Sequence, residues 1–308
     1  MNIKTKSFVS WEFLYIIGII AISFSSIFIR WSTAEVSVVG MYRLYMTNLL
    51  MLAAAWKYRK EILSLKPKQW LGLLLSGAML GLHFLLWMSS LRLTTVASST
   101  VILTLEPILV VFGSFFLFGA KINRFMMAGM GLALIGSIAI GSGDFKLSGT
   151  ALQGDILSLL GTVAVAAHML MGKRLLGGMS AFVYNFWVFF IAATMLAGYN
   201  LLRGYPFTGY VPEEWGIYLL LALIPTLFGH YLFNWLMKFI SASAVSMAVL
   251  GEPVVASLLA WLLLKESLTG LQLLAGAAIL AGVWIFIRYG KEAPDTAGTE
   301  PPSLKESA

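Results

Sequence analysis

The chain has 308 residues; 59% of them are apolar, only 11% are charged, and the formal net charge is +7. Ordinary soluble domains carry about 25% charged residues, so the composition excludes a soluble cofactor-binding domain and an extracellular disulfide scaffold. The basic residues lie between apolar runs, which excludes a nucleic-acid-binding protein. The absence of cysteine also excludes thiol catalysis and thiolate metal sites.

Ten long apolar segments follow one another along the chain, separated by short polar breaks. A bilayer-spanning helix needs about 20 apolar residues, and the segments do not alternate polar and apolar residues as barrel strands do. The sequence therefore predicts an all-α integral membrane protein with ten transmembrane helices. They are expected near 12–30, 37–56, 69–90, 95–118, 124–143, 151–172, 180–202, 214–237, 242–264 and 269–289.

The distribution of Lys and Arg predicts the orientation of these helices. With the N-terminus in the cytoplasm, the inside segments hold 15 of these residues and the outside segments hold five. Cytoplasmic loops are enriched in Lys and Arg, so we expect a multi-pass protein of the cell membrane with both termini cytoplasmic. Residues 1–11 form the predicted cytoplasmic N-terminus. Residues 290–308, rich in Pro, Ser, Thr and charge, form a predicted disordered cytoplasmic tail.

The chain also contains an internal repeat. Leu105-Glu106-Pro107 in span four is followed 146 positions later by Gly251-Glu252-Pro253 in span nine. Two five-helix repeats are therefore predicted, over 12–143 and 151–289. Since five is odd, the second copy enters the membrane from the opposite face. Inverted repeats with a binding site between them are typical of secondary transporters. Other equivalent pairs, at offsets of 143 to 147, are Glu12 and Asp155, Gly18 and Gly161, Arg30 and Lys173, His83 and His230, Trp87 and Asn234, Arg92 and Lys238, and Gly136 and Gly282.

Short motifs add a family resemblance. The paired Glu-Pro motifs, Met41-Tyr42-Arg43 in span two, and Leu264-Lys265-Glu266-Ser267 leading towards Gly276 resemble the drug/metabolite transporter superfamily of the EamA-domain type. The resemblance covers about 12–142 and 152–288. It implies export or exchange of small metabolites across the cytoplasmic membrane, and no enzymatic activity.

Two glutamates, Glu106 and Glu252, lie about midway along their predicted spans. An ionised carboxylate at that depth costs roughly 2.5–3.5 kcal/mol or more, so each needs a polar cavity, a partner or a proton. Pro107 and Pro253 follow them, and a proline frees the carbonyl one turn earlier. We expect a kink or gating point beside a substrate-binding carboxyl. The alternative is a protonated glutamate that only locks the fold.

Spans three and eight supply further candidate substrate-binding residues. Pairs at i and i+4 share one helix face, and facing repeats would enclose a cavity of aromatic and hydrogen-bonding groups. Such a lining suits an amphipathic organic solute, for example an amino acid. No carboxylate or thiolate cluster accompanies the histidines, so no metal or other cofactor is expected. The candidates are His83 and Trp87 in span three and His230, Tyr231, Asn234 and Trp235 in span eight, with Pro225 as a kink and His168 in span six as a weaker candidate.

Arg43 lies inside span two, where span seven has Asn185. Either its stem extends to the outer interface or the guanidinium pairs with a carboxylate, and in both cases we expect a structural role for it. The glycines of spans five and ten permit close helix contact, within one chain or between two. A monomer and a homodimer therefore both stay open.

Two other functional classes stay open beside a secondary transporter. A lipid or amphiphile flippase would use the groove between the repeats. An intramembrane aspartyl protease needs two Asp residues that share a proton. Besides Asp144, the chain offers only Asp155, expected at a helix end, and Asp295 in the tail, so this class is disfavoured. The expected partners are a small-molecule substrate and the lipid bilayer.

Overall fold

The computed structural model describes residues 11–94, 96–141, 149–265 and 270–290, and within these ranges it contains helices and no strand. Nine helical stretches of the described chain are long and apolar enough to cross a bilayer, and Arg124–Ala139 is a shorter apolar helix. The prediction of an all-α membrane protein is confirmed. The helices are α1 (Trp11–Trp31), α2 (Val36–Leu63), α3 (Pro67–Leu93), α4 (Val96–Leu103), α5 (Glu106–Phe118), α6 (Arg124–Gly141), α7 (Gly149–Leu176), α8 (Ala181–Arg203), α9 (Pro212–Leu221), the π-helical segment Ala222–Tyr231, α10 (Leu232–Leu236), α11 (Ala242–Val249), α12 (Glu252–Leu264) and α13 (Gly270–Gly290).

Three of the ten spans are not single regular α-helices. Span four divides into α4 and α5, span nine divides into α11 and α12, and span eight is π-helical between α9 and α10. Pro225 lies inside the π-helical segment, and the neighbouring Thr226 hydroxyl donates to the Leu221 carbonyl at 2.7 Å. A proline interrupts the regular hydrogen bonds of a helix, and π-helical turns are frequent at functional sites.

Helices α6 and α13 pack with their backbones in contact. A Cβ atom on Gly129 would lie 2.6 Å from the carbonyl oxygen of Gly282, and one on Gly136 would lie 2.6 Å from that of Ala275. Only glycine fits at such distances. Gly131, on the same helix, has nothing within 4 Å of its added Cβ. Gly129 and Gly136 thus serve a contact within one chain, which is one of the two possibilities that the sequence left open.

Equivalent basic residues of the two repeats make equivalent hydrogen bonds. Arg30 Nη2 donates to the Thr94 carbonyl at 3.2 Å, and Lys173 Nζ donates to the Ile240 carbonyl at 3.0 Å. Each of these bonds joins the end of the first helix of a repeat to the segment that follows its third span. Because five helices separate the copies, the two bonds lie at opposite ends of the bundle. We call these the α1–α2 end and the α2–α3 end, after the turns found there.

A second pair of bonds follows the same symmetry. Arg92 Nη2 donates to the Ser32 carbonyl at 2.7 Å, and Lys238 Nζ donates to the Met179 carbonyl at 3.3 Å. The donors are 146 residues apart and the acceptors 147. The offsets found in the sequence therefore correspond to contacts that the structure repeats.

Candidate functional site

A cavity with about 620 Å³ of space between atoms, its opening included, lies between the two halves of the chain. Binding sites for small molecules combine apolar walls with a few polar groups, and the lining of this cavity has that character. Both repeats contribute to its walls. Its lining is Ile22, Ser25, His83, Trp87, Leu103 and Glu106 from the first half, and Val165, His168, Met169, His230, Phe233, Asn234, Val245, Val249 and Glu252 from the second.

The two glutamates reach the cavity through matching helix breaks. Helix α4 ends at Leu103 and α5 begins at Glu106, while α11 ends at Val249 and α12 begins at Glu252. Both breaks have the same hydrogen bonds 146 residues apart. Thr104 N donates to Val101 O as Leu250 N donates to Met247 O, and Leu105 N donates to Ile102 O as Gly251 N donates to Ala248 O. Each break therefore begins a new helix with a buried carboxyl at the centre of the bundle.

The prolines of the two motifs lie at these breaks, away from the main cavity. Pro107 and Pro253 line a smaller space of about 180 Å³ in which the two broken spans face each other. Leu103 and Val249 line it too, and their carbonyls are the ones that a proline four residues later leaves without an intrahelical donor. The breaks thus meet next to Glu252, which lines both spaces.

Two cavity-lining side chains carry a buried polar atom without a hydrogen-bond partner among the described residues: Glu106 Oε1 and Trp87 Nε1. The first is an acceptor in either protonation state of the carboxyl, and the second is a donor only. Buried polar atoms are almost always paired in folded proteins. An unpaired donor and an unpaired acceptor in one cavity are groups with which a polar solute can bond.

The histidines of the cavity are held by hydrogen bonds and ring contacts. His83 Nδ1 lies 3.0 Å from the Gly161 carbonyl, and the His83 ring stacks on Trp87 with centroids 5.8 Å apart. His230 contacts Phe84 edge to face at 5.2 Å. His168, the weaker candidate from the sequence, also lines the cavity, with its Nδ1 3.0 Å from the Ser76 hydroxyl. Three histidines from three helices thus surround one space.

Span eight divides its candidate residues between the cavity and the surrounding core. His230 and Asn234 line the cavity, and Asn234 Nδ2 donates to Asn185 Oδ1 at 2.7 Å. Tyr231 and Trp235 are not among the lining residues; they pack against the core, with Trp235 against Phe239 at 4.8 Å. Adjacent residues of a helix point about 100° apart, so one helix face reaches the cavity and the next does not.

Pro225 is buried one turn or more before the cavity-lining part of span eight and does not line the cavity itself. It lies in the π-helical segment, whose last residues include His230. The expected kink takes the form of a wider helix. Span eight thus has an irregular helical segment that contains a cavity-lining residue. Spans four and nine likewise have a helix break beside a cavity-lining glutamate.

Arg43 is fully buried and does not extend to the interface. Its Nε donates to Thr226 Oγ1 at 2.6 Å, its Nη1 donates to Ser25 Oγ at 2.9 Å, and the guanidinium lies 4.4 Å from the Phe84 ring centre. Of the two alternatives, the extended stem is wrong, because two hydroxyl groups and a ring bind the cation inside the bundle. Ser25 also lines the cavity, so Arg43 supports one of its walls.

Asp144 and Glu266 lie outside the described residues. Asp155 is buried near the start of α7, as expected for a helix end. Sequence reasoning missed Ser25 and the apolar lining residues, because single Ser, Val or Leu residues carry no signal within an apolar span. In the described part of the chain no group of three or more His, Cys, Asp or Glu is arranged to hold a metal ion.

Comparisons with known proteins agree with this architecture. Residues 9–142 and 152–288 each match the EamA-like transporter family. A relative from Bacillus subtilis (strain 168), the uncharacterized transporter YetK, is 27% identical over 207 residues, which are 66% of this chain and 62% of that protein. A solved crystal structure superposes with a TM-score of 0.76 at 18% identity, covering 90% of this chain and 96% of the other. At that identity the likeness concerns the fold alone.

Proposed function

We propose that the chain, which belongs to the EamA-like transporter family, is a multi-pass membrane transporter that carries small amphipathic organic solutes, such as amino acids or related metabolites, as an exporter or exchanger. The observation that supports this most is a single cavity walled by both repeats, with a carboxyl contributed by each. The proposed location is the cell membrane, with both termini in the cytoplasm, on the positive-inside distribution of Lys and Arg.

The chemistry of the lining favours such a solute. Trp87, Phe233 and the aliphatic side chains offer contact to an apolar body, while the Glu106 carboxyl and the Trp87 indole N–H offer hydrogen bonds to a polar group. Polar groups in a largely apolar pocket fix the orientation of a ligand. Arg43, the buried cation beside the cavity, already donates to Ser25 and Thr226. The cavity therefore offers little positive charge with which a highly charged phosphorylated solute could pair.

The proposed mechanism is alternating access. Inverted repeats can exchange conformations, so that the cavity opens first to one face of the membrane and then to the other. The breaks before Glu106 and Glu252 and the π-helical part of span eight are the places at which these spans can bend. No chemical step on the solute is needed.

The proposal is tested in two stages. A metabolite efflux screen with and without overexpression identifies the solute, and purified protein in vesicles is then assayed for saturable counterflow of it. We expect Glu106→Gln or Glu252→Gln to lower counterflow at least about fivefold at equal membrane levels. Glu213→Gln is the matched control, since Glu213 is an exposed glutamate at the start of α9.

Three outcomes would contradict the proposal. Normal counterflow by both cavity variants at every pH would remove the glutamates from the site. Lipid scrambling without solute counterflow would support the flippase instead. Product formation without transfer across the vesicle membrane would support an enzyme.

A further inference from the structure

Helices α4 and α7 are joined by a buried line of hydrogen bonds, the α4–α7 seam, made by Ser98, Ser99, Asp155 and Ser158. Ser98 Oγ donates to Asp155 Oδ1 at 2.8 Å, and Ser158 Oγ donates to the Ser99 carbonyl at 2.8 Å. The Ser99 hydroxyl also lies 2.6 Å from that of Ser90 on α3. All four seam residues are less than a tenth exposed. The seam lies at the α1–α2 end, where α4 and α7 both begin.

The positions of helix α11 that are equivalent to Ser98 and Ser99 carry apolar side chains. At the repeat offset of 146, Ser98 and Ser99 correspond to Ala244 and Val245 of α11, whose side chains carry no polar atom. Val245 lines the cavity, whereas none of the four seam residues does. Equivalent positions therefore differ in role: Ser98 and Ser99 of α4 bond to α7, and Val245 of α11 faces the cavity.

We propose that the α4–α7 seam is a latch that closes the α1–α2 end of the transport path, and that Asp155 is its positioning residue. This rests on the proposed transport function. Alternating access requires α4 and α7 to part when the cavity opens towards the α1–α2 end, and the seam bonds must then be exchanged for water. The protein described here is latched at that end.

One feature of Asp155 keeps the latch reversible. Its Oδ2 is buried without a hydrogen-bond partner among the described residues. A buried carboxyl with one unpaired oxygen gains hydrogen bonds when water reaches it. This gain offsets part of the free energy that is lost when the seam bonds break. Fully paired hydroxyls alone would gain less from opening. The seam therefore biases the conformational equilibrium without fixing it.

Accessibility of a reporter cysteine tests the latch directly, because the chain contains no cysteine of its own. Val165→Cys places the reporter in the cavity wall on α7. In oriented vesicles, a membrane-impermeant maleimide added at the face of the α1–α2 end is expected to label this parent slowly. Adding Asp155→Leu or Ser98→Ala is expected to raise that rate at least about fivefold. Asp155→Asn is the matched control, since its amide oxygen still accepts from Ser98, and its rate stays within about twofold of the parent.

Labelling from the other face distinguishes an opened latch from a damaged fold. An opened latch lowers that rate or leaves it unchanged, while unfolding raises both rates. If Asp155→Leu fails to accumulate, Ser98→Ala carries the test alone. Parental labelling at the α1–α2 face by every seam variant that folds would overturn the proposal, as would an equal rise in Asp155→Asn.

A disulfide trap gives an independent test with a transport readout. Ser98 and Asp155 touch through their side chains, so Ser98→Cys with Asp155→Cys is expected to crosslink on oxidation. Counterflow should fall to about a tenth or less when oxidised and recover on reduction, while each single-cysteine variant is unaffected by oxidant. Undiminished counterflow by the crosslinked protein would overturn the latch. If reduced protein and parent both lack counterflow while the labelling shift is present, the transport proposal fails and the latch stands.

Discussion

The buried guanidinium of Arg43 is held by the hydroxyl groups of Ser25 and Thr226. Removing a charge of this size from water costs several kcal/mol. Two charge-assisted hydrogen bonds, at about 1.5–3 kcal/mol each, and the contact with the Phe84 ring offset much of that cost. Arg43 Nη2 has no hydrogen-bond partner among the described residues. The net contribution of Arg43 to stability is therefore small, and what its geometry secures is the meeting of α1, α2 and the π-helical segment.

This balance predicts an unusual order of stability. Arg43→Lys keeps a buried charge, but one ammonium group cannot reproduce the planar fork that joins Ser25 to Thr226, and we expect a loss of about 2 kcal/mol or more. Arg43→Met removes the charge together with its bonds, so it should melt above Arg43→Lys. Melting midpoints in detergent measure this order. A Lys variant more stable than the Met variant would show that the charge itself holds the bundle.

Helix periodicity in the sequence groups residues that also lie together in the structure, but it gives no information on a residue whose position depends on a tertiary partner. The i, i+4 spacing places His83 with Trp87 and His230 with Asn234, and all four line the cavity. The environment of Arg43 depends on Ser25 and Thr226, two hydroxyls among many in the spans. No pattern along the chain distinguishes those two, so the buried position of the cation could not be predicted.

At the scale of the helices, glycine determines how closely α6 and α13 approach. We expect Gly129→Val and Gly282→Val to destabilise the protein by about 2 kcal/mol or more, because their side chains would collide with the backbone of the facing helix. Gly131→Val is the control, since its added atoms meet open space. Melting midpoints of the three variants give the comparison. Equal melting of Gly129→Val and Gly131→Val would contradict the packing described above.

The helix breaks give a second prediction at this scale. Pro107→Ala and Pro253→Ala restore a backbone N–H that can donate to the carbonyl of Leu103 or of Val249, which favours a continuous helix. We expect counterflow to fall several-fold while the amount in the membrane is maintained. Pro212→Ala is the matched control, because Pro212 begins α9, where the N–H has no intrahelical partner. Transport by Pro107→Ala at the control rate would remove the break from the mechanism.

Helix positions followed from the sequence more completely than helix shapes. The length of an apolar run determines whether a segment crosses the bilayer, and the observed bounds stay close to the predicted ones in most spans. Helix α2 runs on to Leu63, past the expected end at 56, as an exposed polar extension. The π-helical segment of span eight depends on where Thr226 and Arg43 bond, which are tertiary contacts that an apolar run does not record.

At the scale of the whole molecule, the two repeats share an arrangement of helices but differ in their buried polar side chains. Arg30 and Lys173 make the same kind of bond at opposite ends of the bundle. The positions of α11 equivalent to Ser98 and Ser99 are Ala244 and Val245, so the hydroxyl bonds of the α4–α7 seam are not repeated at those positions. Symmetry of the backbone makes two conformations possible, and asymmetry of the side chains decides which of them is favoured.

Inversion of the repeats predicts which turns share a face of the membrane. Single cysteines at Glu35 and Thr208 should react with an impermeant maleimide from outside the cell, and those at Ser64 and Gly178 only from the cytoplasmic side, because all four are exposed and lie at alternate ends of the bundle. Equivalent turns of the two repeats, 35 with 178 and 64 with 208, then label from opposite faces. Labelling of either equivalent pair from the same face would exclude an inverted repeat. Reversed labelling of all four sites would keep the inversion and reverse the orientation inferred from Lys and Arg.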